Sequence, residues 1–176
     1  MESIKKNIQV REINYSIHQK AIYSLRRIAW GGEKKSYPKN QIICDHLDDS
    51  NQSKHWAIFN ENKIIASCRL SFLNNFNELP YPEIFANLNL PFKSCFAFYS
   101  RLVIHPNFRG FGYSQLLDDI RIREISKREI KLVLATARDW RLDYLQNKGW
   151  KKLKPVDEKL VQKYRIGNTS IISLEL

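Results

Sequence analysis

Arg101-Leu102-Val103-Ile104-His105-Pro106-Asn107-Phe108-Arg109-Gly110-Phe111-Gly112-Tyr113-Ser114 runs from an apolar strand pattern, through a glycine-containing turn, into the start of a helical pattern. The first amides of a helix have no intrahelical partner. They also sit at the positive end of the helix dipole. Where glycines remove side-chain bulk, such a turn can close on a phosphate or diphosphate, and Arg109 adds a positive charge beside it. The pattern is not a Walker loop, because no Gly-Lys-Ser/Thr follows. It lacks the third glycine of a dinucleotide fingerprint. A tight strand–helix turn that binds nothing is the alternative for an isolated Gly-x-Gly.

Outward from this turn, Cys95 to Ile104 is an aromatic, apolar strand, and Tyr113 to Glu129 is a helix with Leu116, Leu117 and Ile120 on one face. Lys131 to Ala137 is apolar and β-branched, the composition of a buried parallel strand. Asp139 to Asn147 is a short helix closed by Lys148 and Gly149. The stretch 95–147 is therefore a βαβα unit, whose crossover should be right-handed.

Upstream, Ile8 to Ile13 alternates like a strand. Ser16, with Gln19 as capping-box partner, is expected to start a helix. Ala21, Ile22, Leu25, Ile28 and Ala29 form its apolar stripe, and Trp30-Gly31-Gly32 end it. Residues 33–54 are polar, with a short helix expected about Ile42-Ile43. Trp56 to Phe59 and Lys63 to Leu70 read as a hairpin about Asn60-Glu61-Asn62. Residues 74–94 are irregular, with Pro80, Pro82 and Pro91. The tail, Leu160 to Leu176, reads as two strands about Gly167-Asn168. This order predicts a single α/β domain over residues 1–176, with a mixed central sheet of about six to seven strands. Helices on both faces would make three α-β-α layers.

Arg109-x-x-Gly112-x-Ser114, preceded by Val103-Ile104-His105-Pro106, resembles the acyl-CoA-binding motif of the GNAT superfamily of N-acyltransferases, which runs Arg/Gln-x-x-Gly-x-Gly/Ala. The element order is similar over nearly the whole chain, and Tyr144 to Trp150 resembles the family's closing helix and its Gly-aromatic step. Ser114 stands where Gly or Ala is usual. The resemblance implies acetyl-CoA, or another acyl-CoA, as acyl donor. Backbone groups of Leu102, Val103 and Ile104 would meet the pantetheine and the thioester carbonyl. Arg109, Gly110, Phe111, Gly112, Tyr113 and Ser114 would wrap the diphosphate. The implied reaction is direct transfer of an acetyl group to an amine on a small molecule or peptide, with no metal. Backbone donors aimed at the carbonyl suit the oxyanion of a tetrahedral intermediate.

The proton carriers depart from the family pattern. Counting back from Gly149, the position of the family's Tyr holds Leu145 and that of its Asn holds Arg138. Tyr144 lies one residue away, about 100° round the helix. Packing in the core is its alternative role. Strand alternation places Tyr99, Arg101 and Val103 on one face. An Arg on an apolar strand needs an anion, either a substrate group or a structural Asp or Glu. Tyr99, Arg101 and Tyr144 are thus the candidate catalytic residues. The Ser100-Arg101 step also resembles that of acyl-homoserine-lactone and N-acyl amino acid synthases, relatives of the same fold. These take longer acyl groups from acidic acyl carrier protein. Asp45-His46-Leu47-Asp48-Asp49 and His55 read as a polar loop over the acceptor site, in which His46, Asp48 or His55 is a candidate base. His105 reads as a satisfied residue ending its strand.

The 176 residues include 29 Lys plus Arg and 18 Asp plus Glu, a formal charge of +11. That balance suits an acidic carrier, a polyanionic cofactor or nucleic acid. The basic residues are scattered through every segment, which disfavours a dedicated nucleic-acid groove; a non-catalytic basic nucleic-acid-binding domain is the remaining alternative. Cys44, Cys68 and Cys95 form no Cys-x-x-Cys pair, and a reducing cytoplasm is the expected setting. No apolar run approaches the roughly 18–20 residues a membrane span needs.

Overall fold

A computed structural model describes residues 8–31, 44–88, 90, 95–164 and 166–176. The described chain forms a seven-stranded mixed sheet and four α-helices: β1 (Ile8–Ile13), α1 (Tyr15–Gly31), β2 (Ser53–Asn60), β3 (Lys63–Leu73), β4 (Phe96–Ile104), α2 (Tyr113–Ser126), β5 (Leu132–Arg138), α3 (Leu142–Gln146), β6 (Lys151–Pro155), α4 (Glu158–Tyr164) and β7 (Thr169–Glu175). The strand order is β1-β2-β3-β4-β5-β7-β6. As the β-branched composition predicts, β5 is parallel to β4, in a ladder from Ala97↔Val133 to Tyr99↔Ala135. No helix among the described residues is long and apolar enough to cross a membrane.

The residues group into two compact units. One comprises the described residues to Leu70 with Arg101–Glu124; the other comprises Ser71–Ser100 with Ile125–Leu176. In the first, β1 pairs antiparallel with β2 from Ile8↔Asn60 to Ile13↔His55. Trp56, Ala57, Ile58 and Phe59 are all buried, so β2 is covered on both faces. The hairpin to β3 turns on two residues, Glu61 and Asn62, with Glu61 at φ 55. The helix cap differs from expectation: α1 starts at Tyr15, and Asn14 Oδ1 accepts from Ser16 N–H at 2.9 Å. Ser16 Oγ instead donates to Asp49 at 2.7 Å. Asn is at least as good a cap as Ser, so the earlier residue captures the first free amide. Ile22 and Leu25 are buried as predicted, but Ile28 is 42% exposed and Arg26 is buried. Gly32 and the helix expected about Ile42-Ile43 lie outside the described residues.

In the second unit, β5 pairs antiparallel with β7 from Leu132↔Glu175 to Arg138↔Thr169. β6 pairs with the other edge of β7, with an irregularity between Lys152 and Lys154. Two edge-to-face aromatic pairs, Phe85–Phe98 at 5.7 Å and Phe76–Phe96 at 5.5 Å, pack the irregular 74–88 segment on β4. The tail reading needs correction: residues 158–164 are helix α4, not a strand, and the partner of β7 within the tail's hairpin role is β6. Asp157 Oδ1 accepts from Lys159 N–H at 2.8 Å, an N-cap that a reading centred on Gly167-Asn168 passes over. The Lys163 ammonium and the Tyr164 hydroxyl both donate to Glu83, fastening α4 to the 3-10 turn at Pro82–Phe85.

Candidate active site

Within the first unit, the end of β4, the turn and the start of α2 are continuous. His105 N–H donates to Ile65 O at 2.8 Å, holding the strand end on β3. A short 3-10 turn at Pro106–Phe108 follows, with His105 Nδ1 accepting from Asn107 N–H at 3.3 Å. His105 is thus a satisfied strand-end residue, as expected. Gly110 and Gly112 carry φ +84 and +79, and a Cβ built on either meets nothing within 4 Å. Both glycines therefore supply backbone conformation and leave open space above the turn. The first backbone bond into α2 is Leu116 N–H to Gly112 O, at 3.1 Å. The amides of Tyr113, Ser114 and Gln115 are the donors that a helix start leaves over. Phe111 is exposed and stacks on Tyr113 at 6.1 Å. The Arg109 guanidinium donates to Ala29 O at 2.8 Å, so it also caps the last turn of α1.

A second feature was missed in the sequence. Asp45 and Asp48 hold three arginines. Arg26 donates through both terminal nitrogens to Asp48, each at 2.7 Å. Arg69 makes a two-point contact with Asp45, at 2.6 and 3.0 Å, and reaches Asp48 at 2.9 Å. Arg101 donates through Nε (3.1 Å) and Nη2 to Asp45 Oδ2. Arg121, also buried, donates to Asp118 and to the Arg69 carbonyl. Burial alone would raise the Asp45 carboxyl, but the hydrogen bonds and charge of Arg69, then Arg101, hold it well below the usual carboxylate range. Asp48 is lowered in the same way against its own burial, chiefly by the Arg26 hydrogen bond. The signal in sequence was Arg69, set in the apolar run from Ile64 to Leu73; like Arg101, it demanded an anion.

The loop 45–49 is thus a buried ion cluster as much as a polar loop. Asp48, committed to Arg26 and Arg69, is a poor base. His55 is buried against Tyr15, with ring centres 5.0 Å apart. Burial, with the charges of Arg69 and Arg26, pushes it down to about 4, so it is neutral near pH 7. His46 is exposed. Arg101 itself stands at φ 56, in the left-handed region, within β4. That conformation interrupts the pleat, so the period-two expectation for Tyr99, Arg101 and Val103 does not carry across it.

Tyr99 and Tyr144 belong to the second unit. Tyr99 is buried, its ring 5.3 Å from that of Trp150. Tyr144 is not a core residue: it is 36% exposed, with the Arg141 guanidinium 5.8 Å from its ring centre, while Leu145 is buried. Among the described residues no group of three His, Cys, Asp or Glu side chains is placed to hold a metal.

No protein-family model and no curated protein matches the chain in sequence. Solved structures do match in fold. The N-acyl amino acid synthase FeeM from uncultured soil microbes superposes with a TM-score of 0.73 at 10% identity, over 96% of this chain and 91% of that one. Escherichia coli ElaA gives 0.68 at 15% identity, over 96% and 100%. The PaiA N-acetyltransferase of Thermoplasma acidophilum, solved in complex with coenzyme A, gives 0.63 at 10% identity, over 97% and 100%. Over nearly its whole length, this chain has the fold of the GNAT-type N-acetyltransferases.

Proposed function

We propose that the chain is an N-acyltransferase that moves an acyl group from a coenzyme A thioester directly to an amine. The observation that carries this reading is the turn at 109–114. Two positive-φ glycines with open space above them precede the free amides of a 14-residue helix, in a fold that one matched N-acetyltransferase uses with coenzyme A. Those amides, the helix dipole and the Arg109 guanidinium fit a diphosphate. The thioester would then lie along Leu102–Ile104. The amine nitrogen attacks the thioester carbonyl, a C–N bond forms and the C–S bond breaks. The amine's proton leaves to a base, and the departing thiolate takes a proton from an acid. Tyr144 is the proposed thiolate acid. Holding both reactants in place supplies the remaining advantage through proximity. Residues 1–176 are proposed to act as one domain, since β3 and β4 each run from one unit into the other.

The acyl chain has two readings. Acetyl is the first. A longer chain, delivered by coenzyme A or an acidic carrier protein, is favoured by the high TM-score to the N-acyl amino acid synthase. Thermal shift against coenzyme A thioesters of increasing chain length, with mass spectrometry of any copurified ligand, tests both. Stabilisation by acetyl-CoA alone selects the first reading, and stabilisation that grows with chain length selects the second. If no thioester stabilises the protein, the acyltransferase reading fails.

A further inference from the structure

Arg101 is a non-glycine residue in left-handed backbone inside a strand, at φ 56. Such a residue persists only where its surroundings over-determine it. Here the surroundings form a chain of charged contacts. Asp45 takes two donors from Arg101, and Arg69 grips Asp45 at two points. Asp48 bridges Arg69 to Arg26 on α1. Trp30 lays its ring 5.5 Å from the Arg101 guanidinium.

Arg26, Ala29 and Trp30 are spaced i, i+3 and i+4, so they share one face of α1. That face reaches the donor segment at two points. Trp30 meets Arg101 directly, Arg26 is linked to it by way of Asp48, Arg69 and Asp45, and the Ala29 carbonyl meets Arg109. The residues between those two points include Leu102, Val103 and Ile104. A left-handed residue redirects the backbone that follows it, so whatever fixes Arg101 also fixes where the peptide groups after it point.

We propose that the relay Arg26–Asp48–Arg69–Asp45 is a positioning device. It holds Arg101 in left-handed backbone, and thereby aims the peptide groups of Leu102–Ile104 at the thioester carbonyl. Asp45 and Arg101 are positioning residues in this scheme, not groups that touch the acyl centre. The inference rests on the acyltransferase reading, because the direction of those peptide groups matters only if a thioester lies along them.

Glycine separates the backbone from the guanidinium, since it takes positive φ as readily as negative. The test compares wild type, Arg101→Gly, Arg101→Ala and Asp45→Asn in the full chain, with acetyl-CoA, decanoyl-CoA and free coenzyme A as probes. Calorimetric affinities report how much the acyl carbonyl adds over the free thiol. Hydrogen exchange over 101–104 without ligand reports the backbone. Arg101→Gly should keep the thioester-over-thiol preference within about threefold of wild type. Arg101→Ala should lose about tenfold of it, the size expected when a side chain disfavours left-handed backbone. Asp45→Asn should lose a comparable amount, and exchange should quicken in the Ala and Asn variants. A merely structural role would weaken thioester and free thiol alike and leave their ratio unmoved, which overturns the proposal. Equal losses in Arg101→Gly and Arg101→Ala also overturn it, because the guanidinium would then itself meet the substrate. If wild type binds none of the three probes, the acyltransferase reading falls and the positioning role with it; unchanged exchange in Arg101→Ala sinks the relay alone. Should Asp45→Asn fail to fold, the Gly–Ala comparison decides by itself.

Discussion

Arg101 and Gly112 both adopt positive φ within the first unit, by opposite means. At Gly112 nothing touches the position where a Cβ would stand, and the conformation is free because a side chain is missing. At Arg101 the residue's own side chain is tied into a network with four other charged side chains, and the conformation is held by a side chain. The contrast fits two tasks. Under the proposed function, a turn that admits a diphosphate keeps its surface bare, whereas a strand that points its peptide groups needs walls.

The contrast breaks most severely on its buried side. Asp48→Ala removes the carboxylate that Arg26 grips at two points in the interior and should cost about 3–5 kcal/mol of folding stability, read by urea denaturation. Acid acts on the same interior. His55 falls from 6.5 to about 4 on folding, chiefly through burial, so the unfolded chain binds more protons between those values. Its contribution is complete above pH 6.5 and fades as pH falls toward 4, on the order of 3 kcal/mol in all. Thermal melts across that range should show the slope in wild type and a shallower one in His55→Phe; equal slopes would place the acid sensitivity elsewhere.

On the open side the effects fall on ligand more than on fold. Gly112→Asp adds bulk and a negative charge where the diphosphate would lie. Calorimetry should show coenzyme A affinity falling at least a hundredfold, about 2.7 kcal/mol, while the protein still folds. An unchanged affinity would count heavily against the site. Arg109→Ala should weaken coenzyme A about tenfold, roughly 1.4 kcal/mol, since the guanidinium is exposed and already shared with the Ala29 carbonyl. Gly110→Ala is the mildest. Space for the methyl is free, so only the positive φ opposes it, at about 1 kcal/mol in a melt.

What could be read in advance was local. The β4 strand, the glycine turn, α2, the β2–β3 hairpin and the Gly149 stop each rest on residues a few positions apart, where pattern and capping chemistry act directly. The ion cluster was not readable as a cluster, because its partners are 22, 24 and 56 residues apart along the chain. Arg69 and Arg101 each announced a buried charge in an apolar strand, yet neither could name its anion. Tyr144 shows the same limit. Its helix was expected, but its exposure beside Arg141, and the burial of Leu145 in its place, follow from which helix face meets the core.

By itself, then, the sequence determined the order of strands and helices from β1 to α3 and the glycine turn, because short-range sterics and free helix amides are written in neighbouring residues. Tertiary structure alone decided which aspartate holds which arginine, that α4 is fastened to Glu83, and that Arg101 is held left-handed. Those choices belong to contacts between distant segments, where burial strengthens each charge pair and leaves an unpaired charge too costly to keep.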